Sequence, residues 1–370
     1  MRPGSEAELA EAVRGAQAPL RVCGGGTRAI GGGGAAAVLE TGGVTGVSLY
    51  EPGALTLVAA AGTPLSEIEA VLDAEGQRLA FEPMDHRGLL GTEGVSTIGG
   101  VVAANVSGPR RVQAGACRDF LLGVRFVDGT GTVVKNGGRV MKNVTGYDLV
   151  KLMAGSRGTL GVLTEVSLKV LPKPEAAASV LIDGLDDAAA VAAMARALGS
   201  PYDLTGAAHL PVGPDGDPLT LLRIEGFAGS VAYRAGQLAA LFGGQAVRIE
   251  SDPEVVAEAW ADVRDVAPMH GREGDVWRIH CKPSDAPGLV ARLEPRAVLY
   301  DWGGGLIWAL THTGTDARAR LGAFDGHATR VRGRGTTPVF PPEPAPVAAL
   351  SRAIRARFDP RGIFDPGTLH

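Results

Sequence analysis

The stretch Arg21-Val22-Cys23-Gly24-Gly25-Gly26-Thr27-Arg28-Ala29-Ile30-Gly31-Gly32-Gly33-Gly34 follows an apolar run, Leu20–Cys23, with strand character. Gly24, Gly26 and Ala29 match the dinucleotide pattern G-x-G-x-x-A. That pattern works only where a helix begins inside it, because the helix N-terminus receives the pyrophosphate. A continuation through Gly31 to Gly34 is no helix, so a doubly wound dinucleotide fold is excluded. What remains is either a plain turn or a nest of backbone N–H groups converging on an anion.

Two more glycine-rich loops lie downstream. Ser96-Thr97-Ile98-Gly99-Gly100-Val101-Val102-Ala103-Ala104-Asn105-Val106-Ser107-Gly108-Pro109 is small and apolar throughout, so it suits either a flat ring lying on backbone or a close helix-to-sheet contact. Gly155-Ser156-Arg157-Gly158-Thr159-Leu160-Gly161 lacks the Gly-Lys-Ser/Thr ending of a nucleotide P-loop, which argues against an ATPase or kinase. Three such loops along one unit point to a long ligand touched at several places.

Glycine supplies 54 of 370 residues, about twice the usual ~7% share, with neither a collagen period nor low complexity. Hydrophobic residues at 45% and charged ones at 21% fit a folded chain with a sizeable core. A net charge of −4 offers no general attraction to nucleic acid or anionic lipid. No window approaches the ~18 apolar residues of a spanning helix, so the expectation is a cytoplasmic protein without an integral membrane segment. Cys23, Cys117 and Cys281 are odd in number and far apart, as reduced thiols are.

Organisation follows the punctuation. Ser5 with Glu8, and Ser66 with Glu69, are spaced as capping boxes opening two helices. Residues 57–61, 122–127, 132–134 and 162–170 read as strands, with a hairpin signal at Asp128-Gly129. Pro172 and Pro174 close this first unit. Beyond them, strands at 180–182, 205–209 (weak), 219–225 and 246–249 alternate with an Ala-rich helix capped by Asp186 and a helix at 230–242, the βαββαβ ferredoxin-like order. A bridging helix, capped by Asp252 with Pro253 at its first position, carries Val256, Trp260 and Val263 inward. The βαββαβ order then recurs up to a strand near Val331. A proline-rich crossing at 338–346 and an amphipathic helix at 347–358 are expected to return to the first unit.

Two long runs identify a likeness: Ser107-Gly108-Pro109-Arg110-Arg111 to Arg118-Asp119, and Gly138-Arg139-Val140-Met141-Lys142-Asn143-Val144-Thr145-Gly146-Tyr147-Asp148-Leu149 followed by Leu152 to Ser156. The first 172 residues resemble the FAD-binding domain of the vanillyl-alcohol oxidase and p-cresol methylhydroxylase (PCMH) type. More narrowly, both runs resemble the FAD-binding E subunit of bacterial glycolate oxidase, as does the terminal Arg357-Phe358-Asp359-Pro360-Arg361-Gly362-Ile363-Phe364-Asp365-Pro366-Gly367, where Asp365 replaces the family's usual Asn. The fold class implied is α+β: a PCMH-type FAD-binding domain at 1–172, a cap at 175–335 built of two ferredoxin-like halves, and a tail at 336–370 returning to the first domain.

The resemblance implies that Cys23, Gly24, Gly25, Gly26, Thr27 and Arg28 hold the pyrophosphate. Pro83, Met84, Asp85 and Thr97, Ile98, Gly99, Gly100 would line the flavin and its ribityl chain. Asn105, Ser107, Gly108 and Gly115 would border the cofactor, and Gly161 with Val162 would meet its adenine end. The first loop has Thr27 and Arg28 where a flavin-linking His would stand, so the FAD is expected to be non-covalent; His86 is a weak rival, read as a solvated loop residue. A valine at Gly25 is expected to abolish FAD binding without unfolding the chain, on the reading that Gly25 adopts a positive φ.

Oxidation of a 2-hydroxy acid calls for an arginine on the carboxylate and a base near the hydroxyl. Related subunits carry a His-rich H-G-D-G-x-x-H segment for metal and substrate; here the corresponding stretch is Tyr300-Asp301-Trp302-Gly303-Gly304-Gly305-Leu306-Ile307-Trp308, and no metal site is expected. Arg110 and Arg111 are possible carboxylate or flavin contacts, Lys142 a possible stabiliser of reduced flavin, His280 and His312 structural histidines. No catalytic residue is assigned. The resemblance implies a second FAD-binding subunit and an iron–sulfur subunit as partners, a small hydroxy acid as substrate of the complex, and at most a peripheral place on the inner face of the membrane. A relay or shaping role is favoured over a complete catalytic site, with the Trp302 to Gly305 segment and the proline-rich crossing as partner contacts.

Overall fold

The computed structural model describes residues 1–31, 37–139 and 146–364. Lys142 with the run 140–145, the glycines 32–34 and the terminal residues from Asp365 lie outside the described residues.

The chain opens with the helix Glu6–Gly15, started by the Ser5 hydroxyl accepting from the Glu8 N–H at 3.2 Å. Glu8 reaches back to the N–H of Gly4 rather than Ser5, so half of the expected box forms. Nine strands follow: β1 (Leu20–Cys23), β2 (Ala37–Glu40), β3 (Val47–Glu51), β4 (Thr56–Ala60), β5 (Gln77–Arg78), β6 (Leu121–Val127), β7 (Val133–Gly137), β8 (Val162–Lys169) and β9 (Leu171–Pro172). β1 and β2 pair in parallel, β5 and β9 antiparallel. The others form an antiparallel sheet in the order β3-β4-β8-β6-β7. β8 is central: Val162, Thr164, Val166 and Leu168 are buried on one face, while the other alternates buried Leu163 and Ser167 with half-buried Glu165 and Lys169.

Two local expectations fail for identifiable reasons. Ser66 caps nothing: the helix Leu65–Asp73 begins one residue earlier, with Pro64 at its N-cap, and Ser66 is already inside its first turn. The β6–β7 turn is longer than the Asp-Gly signal suggests. Asp128 Oδ1 accepts from Thr130 and Thr132 N–H, Gly131 takes the positive φ of 81°, and Gly129 instead packs against Asp359, where a Cβ would lie 2.3 Å from its carboxylate.

The cap contributes β10 (Ala176–Asp183), β11 (Leu204–Leu210), β12 (Leu219–Gly226), β13 (Ala246–Glu250), β14 (Asp275–Cys281), β15 (Ala297–Asp301), β16 (Leu306–Thr311) and β17 (Gly326–Arg332). They form one sheet in the order β13-β10-β12-β11-β15-β16-β14-β17, two ferredoxin-like halves meeting edge to edge. The seam is a single residue pair, His209 opposite Tyr300, and the Tyr300 hydroxyl donates to Asp187 at 2.6 Å. β11, the weakest strand by sequence, is buried at all seven positions; its central place, not the propensity of Gly206, Ala207 and Ala208, makes it a strand.

Helices cover one face of this sheet around Trp277, Ile279 and Leu289, while the other face joins the core of the first unit through Leu210, Leu221, Trp308 and Val331. The bridging helix Pro253–Asp265 is capped by Asp252 and buries Val256, Trp260 and Val263 as expected. After the helix Ala345–Phe358 the chain returns to the first unit: Phe358 meets Phe126 at 6.0 Å between ring centroids, and Phe364 bridges to Leu20. Asp359 holds this return by accepting from the N–H groups of Ile363 at 3.0 Å and Phe364 at 2.8 Å.

Candidate functional site

A cleft opens at the end of β1 within the first unit. Cys23 to Ile30 form one wall, and Thr97, Gly99, Gly100, Ala103, Ala104, Arg157, Gly158 and Gly161 form the other. The glycines differ in what they do. Gly24 and Gly99 permit close packing, since a Cβ would lie 2.5 Å from Thr97 Oγ1 in the first and 2.7 Å from Ala61 in the second. Gly25 is tighter still, with a Cβ position only 1.5 Å from the carbonyl oxygen of Val95. The positive φ belongs to Gly26, at 73°, and not to Gly25 as the sequence suggests; the Gly26 Cβ position is open.

Among the described residues, the N–H groups of Gly25, Gly26, Thr27 and Arg28 have no protein acceptor. Arg28 donates to Ser96 Oγ at 2.9 Å while its Nε is buried without a partner. Burial, more than any neighbour, lowers the Arg28 and Arg157 guanidinium pKa values to about 10, which leaves both charged at neutral pH. Neither has a carboxylate ion-pair partner among the described residues. Free amides and two partly desolvated cations in one cleft are what a pyrophosphate needs.

Deeper in, a second compartment is shared with the cap. Met84, His86, Asn105 and Ser107 meet Arg278, Trp308 and Thr329 there. Asn105, at φ 49°, accepts from the Arg118 N–H at 3.0 Å, and Ser107 Oγ accepts from the Cys117 N–H at 3.0 Å, so both hold the loop as well as facing the space. His86 is buried, not a solvated loop residue. Burial first, then the Arg28 charge, lowers its pKa to about 3, so the ring is neutral. Its Nδ1 lies 3.3 Å from the Met84 carbonyl oxygen, to which a protonated Nδ1 donates, leaving Nε2 as the acceptor.

The remaining sequence-derived positions lie around these spaces rather than on them. Ile98 and Val162 have fully buried side chains behind the cleft. Asp85 is engaged by Arg87 at 2.7 Å, and Pro83 adjoins it. Gly108 offers its carbonyl to Trp302 Nε1 at 3.0 Å, and Gly115, at φ 97°, backs onto Asp119. Trp302 and the proline-rich crossing thus make contacts within the chain. Phe340 of the crossing stacks on Arg157 at 4.7 Å.

Arg110 is likewise not a substrate cation. It bonds Glu225 through Nε at 2.8 Å and Glu82 at 3.0 Å; Arg223 bonds Glu82 at 2.9 Å, and Arg78 bonds Glu225 at 2.8 Å. This network ties β12 of the cap to the loop that leads into Pro83, Met84 and Asp85. Burial works against both carboxylates, yet Arg223 and Arg110 outweigh it and hold Glu82 and Glu225 below the usual range. The sequence offered no signal for Glu82, Arg223 or Glu225, which meet across more than a hundred residues. His86 was singled out only as a weak rival for flavin attachment, and no sequence signal marked Arg278.

The fold and the cleft together define a two-part flavoprotein of the FAD-binding oxidoreductase class. Residues 1–137 match the family model "FAD binding domain". The chain is 38% identical over 329 residues to the glycolate oxidase subunit GlcE of Escherichia coli K12, covering 88% of this chain and 85% of that one. It belongs to the GlcE family. It is also 42% identical over 87 residues to the glycolate oxidase subunit GlcD of Bacillus subtilis 168, spanning 24% of this chain and 18% of that one. Among solved structures, alkyldihydroxyacetonephosphate synthase shares the fold, with a TM-score of 0.73 at 16% identity over 99% of this chain and 75% of that one. The cofactor is FAD, and the chain is an FAD-linked oxidoreductase subunit. No helix among the described residues is long and apolar enough to cross a membrane.

Proposed function

We propose that this chain is the FAD-binding subunit of a glycolate oxidase complex and takes part in oxidation of glycolate to glyoxylate. In this reading residues 1–172 and 336–370 hold FAD and 175–335 cap it. The observation that carries it is the conjunction, in one cleft, of amides at Gly25–Arg28 without an acceptor among the described residues and half-buried Arg28 and Arg157 without a carboxylate partner among them. The bound flavin supplies the two-electron acceptor. Gly24 to Arg28 and Arg157 bind the pyrophosphate. Thr97, Gly99 and Gly100 make room for the ribityl chain and ring, Gly161 meets the adenine end, and Met84, Asn105 and Ser107 border the flavin. A second FAD-binding subunit and an iron–sulfur subunit complete the electron path, in the cytoplasm or at the inner face of the membrane. This chain's three cysteines are dispersed, as expected of a subunit that leaves iron–sulfur ligation to a partner.

The FAD is held without a covalent bond, because affinity is spread over many backbone contacts and Thr27 and Arg28 stand in the first loop. Acid precipitation of the purified yellow protein should leave FAD in the supernatant. Colour retained in the pellet would reject the non-covalent mode, and a colourless protein would reject the reading as a whole. Co-purification of tagged chain from its host should bring the two partner subunits; their absence would sink the assignment to a complex.

A further inference from the structure

The sequence reading offered Arg110 or Arg111 for the carboxylate of the substrate and no residue for its hydroxyl. The compartment beneath the cap supplies both. Along β14, Trp277 and Ile279 pack into the cap's own core, so the alternation sends Arg278 and His280 to the opposite face, toward the first unit. The Arg278 guanidinium lies between the rings of Trp302, at 5.3 Å, and Trp308, at 5.6 Å. Half-buried, it makes no hydrogen bond or ion pair among the described residues, whereas half-buried Arg78 and the buried Arg110 and Arg223 are each paired.

Its charged neighbours deepen the need for an anion. Arg111, stacked on the same Trp302 at 4.7 Å, and Arg157 both repel it, and burial with these charges lowers its pKa to about 9. The nearby Asp301 carboxylate, which accepts from the Trp302 N–H at 2.7 Å, offsets part of this repulsion but forms no ion pair with Arg278. A half-buried guanidinium that repels two cations and has no ion-pair partner within the described residues is stabilised when an anion arrives. That anion is not the pyrophosphate, whose cleft Arg278 does not line. His86 lines the same compartment as Arg278, neutral and with Nε2 as an acceptor.

We propose that this compartment is a binding site of this chain for a small 2-hydroxy carboxylate, Arg278 holding the carboxylate and His86 Nε2 accepting a hydrogen bond from the hydroxyl. The choice of substrate class rests on the function proposed above; the anion site itself rests on the geometry. Trp302 and Trp308 flank the guanidinium and report on it directly. Anaerobic titration of the purified holoprotein with glycolate should change tryptophan fluorescence saturably, acetate should bind more weakly, and ethylene glycol and inorganic phosphate should not compete.

Arg278→Ala should weaken glycolate by roughly tenfold to a hundredfold, the scale of a lost charge-assisted bond, with partial recovery in Arg278→Lys. His86→Asn should erase the preference for glycolate over acetate and leave acetate affinity unchanged. An absent saturable response, equal competition by phosphate, or unaltered affinity in both Arg278 variants would overturn the site. Flavin content, read by acid extraction of the same preparations, should stay at the wild-type level. Its absence from the wild type would defeat the flavin reading instead, so the two failures are distinguishable.

Discussion

Glu225→Ala should lower the stability of the chain by about 3–5 kcal/mol, the cost of leaving buried arginines without their carboxylate. Glu225 is shared by Arg110 and Arg78 at 2.8 Å each, and its side chain is only 7% exposed, so solvent cannot replace the lost charge. Arg110→Ala alone should cost a similar amount, because Glu225 then loses one partner and Glu82 another. The double variant should be destabilised by clearly less than the two single losses added, since each removes the same contact. Urea unfolding of the four proteins measures this coupling; strict additivity would show that the network does not act as a unit.

The same network sets an acid limit. Glu82 and Glu225 have folded-state pKa values held below their unfolded ones, so their contribution is complete above about pH 4.3 and is lost as pH falls through the lowered folded values. Stability should therefore drop steeply below about pH 4, and less steeply in Glu225→Gln, which has one fewer carboxylate to titrate. A wild-type chain whose unfolding midpoint does not move in that window would contradict the lowered values.

Gly25→Val should reduce bound flavin to below about a tenth of wild type and also lower the thermal midpoint of the flavin-free chain. The reason is a collision and not a dihedral angle: a Cβ at residue 25 would lie 1.5 Å from the Val95 oxygen, so the loop must move off the 94–95 backbone. That displacement carries away the free N–H groups from Gly25 to Arg28. Sequence reasoning predicts loss of flavin without loss of stability; the packing predicts both. Calorimetry of apo-wild type against apo-variant separates the two, and full flavin content in the variant would remove this loop from the site.

Much was readable because it depends on neighbours in sequence. Asp252 with Pro253 can cap only the helix that follows, Asp186 likewise, and the alternation of Val166 and Leu168 with Ser167 marks a strand wherever the chain places it. The failed Rossmann pattern was legible for the same reason, as a helix must start within a few residues of the glycines or not at all. Local patterns missed where long-range contacts choose between equal options. Ser66 can cap or lie within the first turn, and the choice followed from Leu65 bonding to Ser96.

The sequence by itself determined the class of protein and the repeated βαββαβ order of the cap, because periodicity, caps and glycine loops are properties of short runs of chain. Only the tertiary structure decided which arginines are bound and which are free. Arg110, beside Ser107 and Gly108, is neutralised by Glu225 from β12, while Arg278, which no motif marks, stands among aromatic rings without an ion-pair partner among the described residues. A charge acquires its role from what lies within a few ångströms of it, and those neighbours come from other elements of the fold: Glu225 stands more than a hundred residues from Arg110.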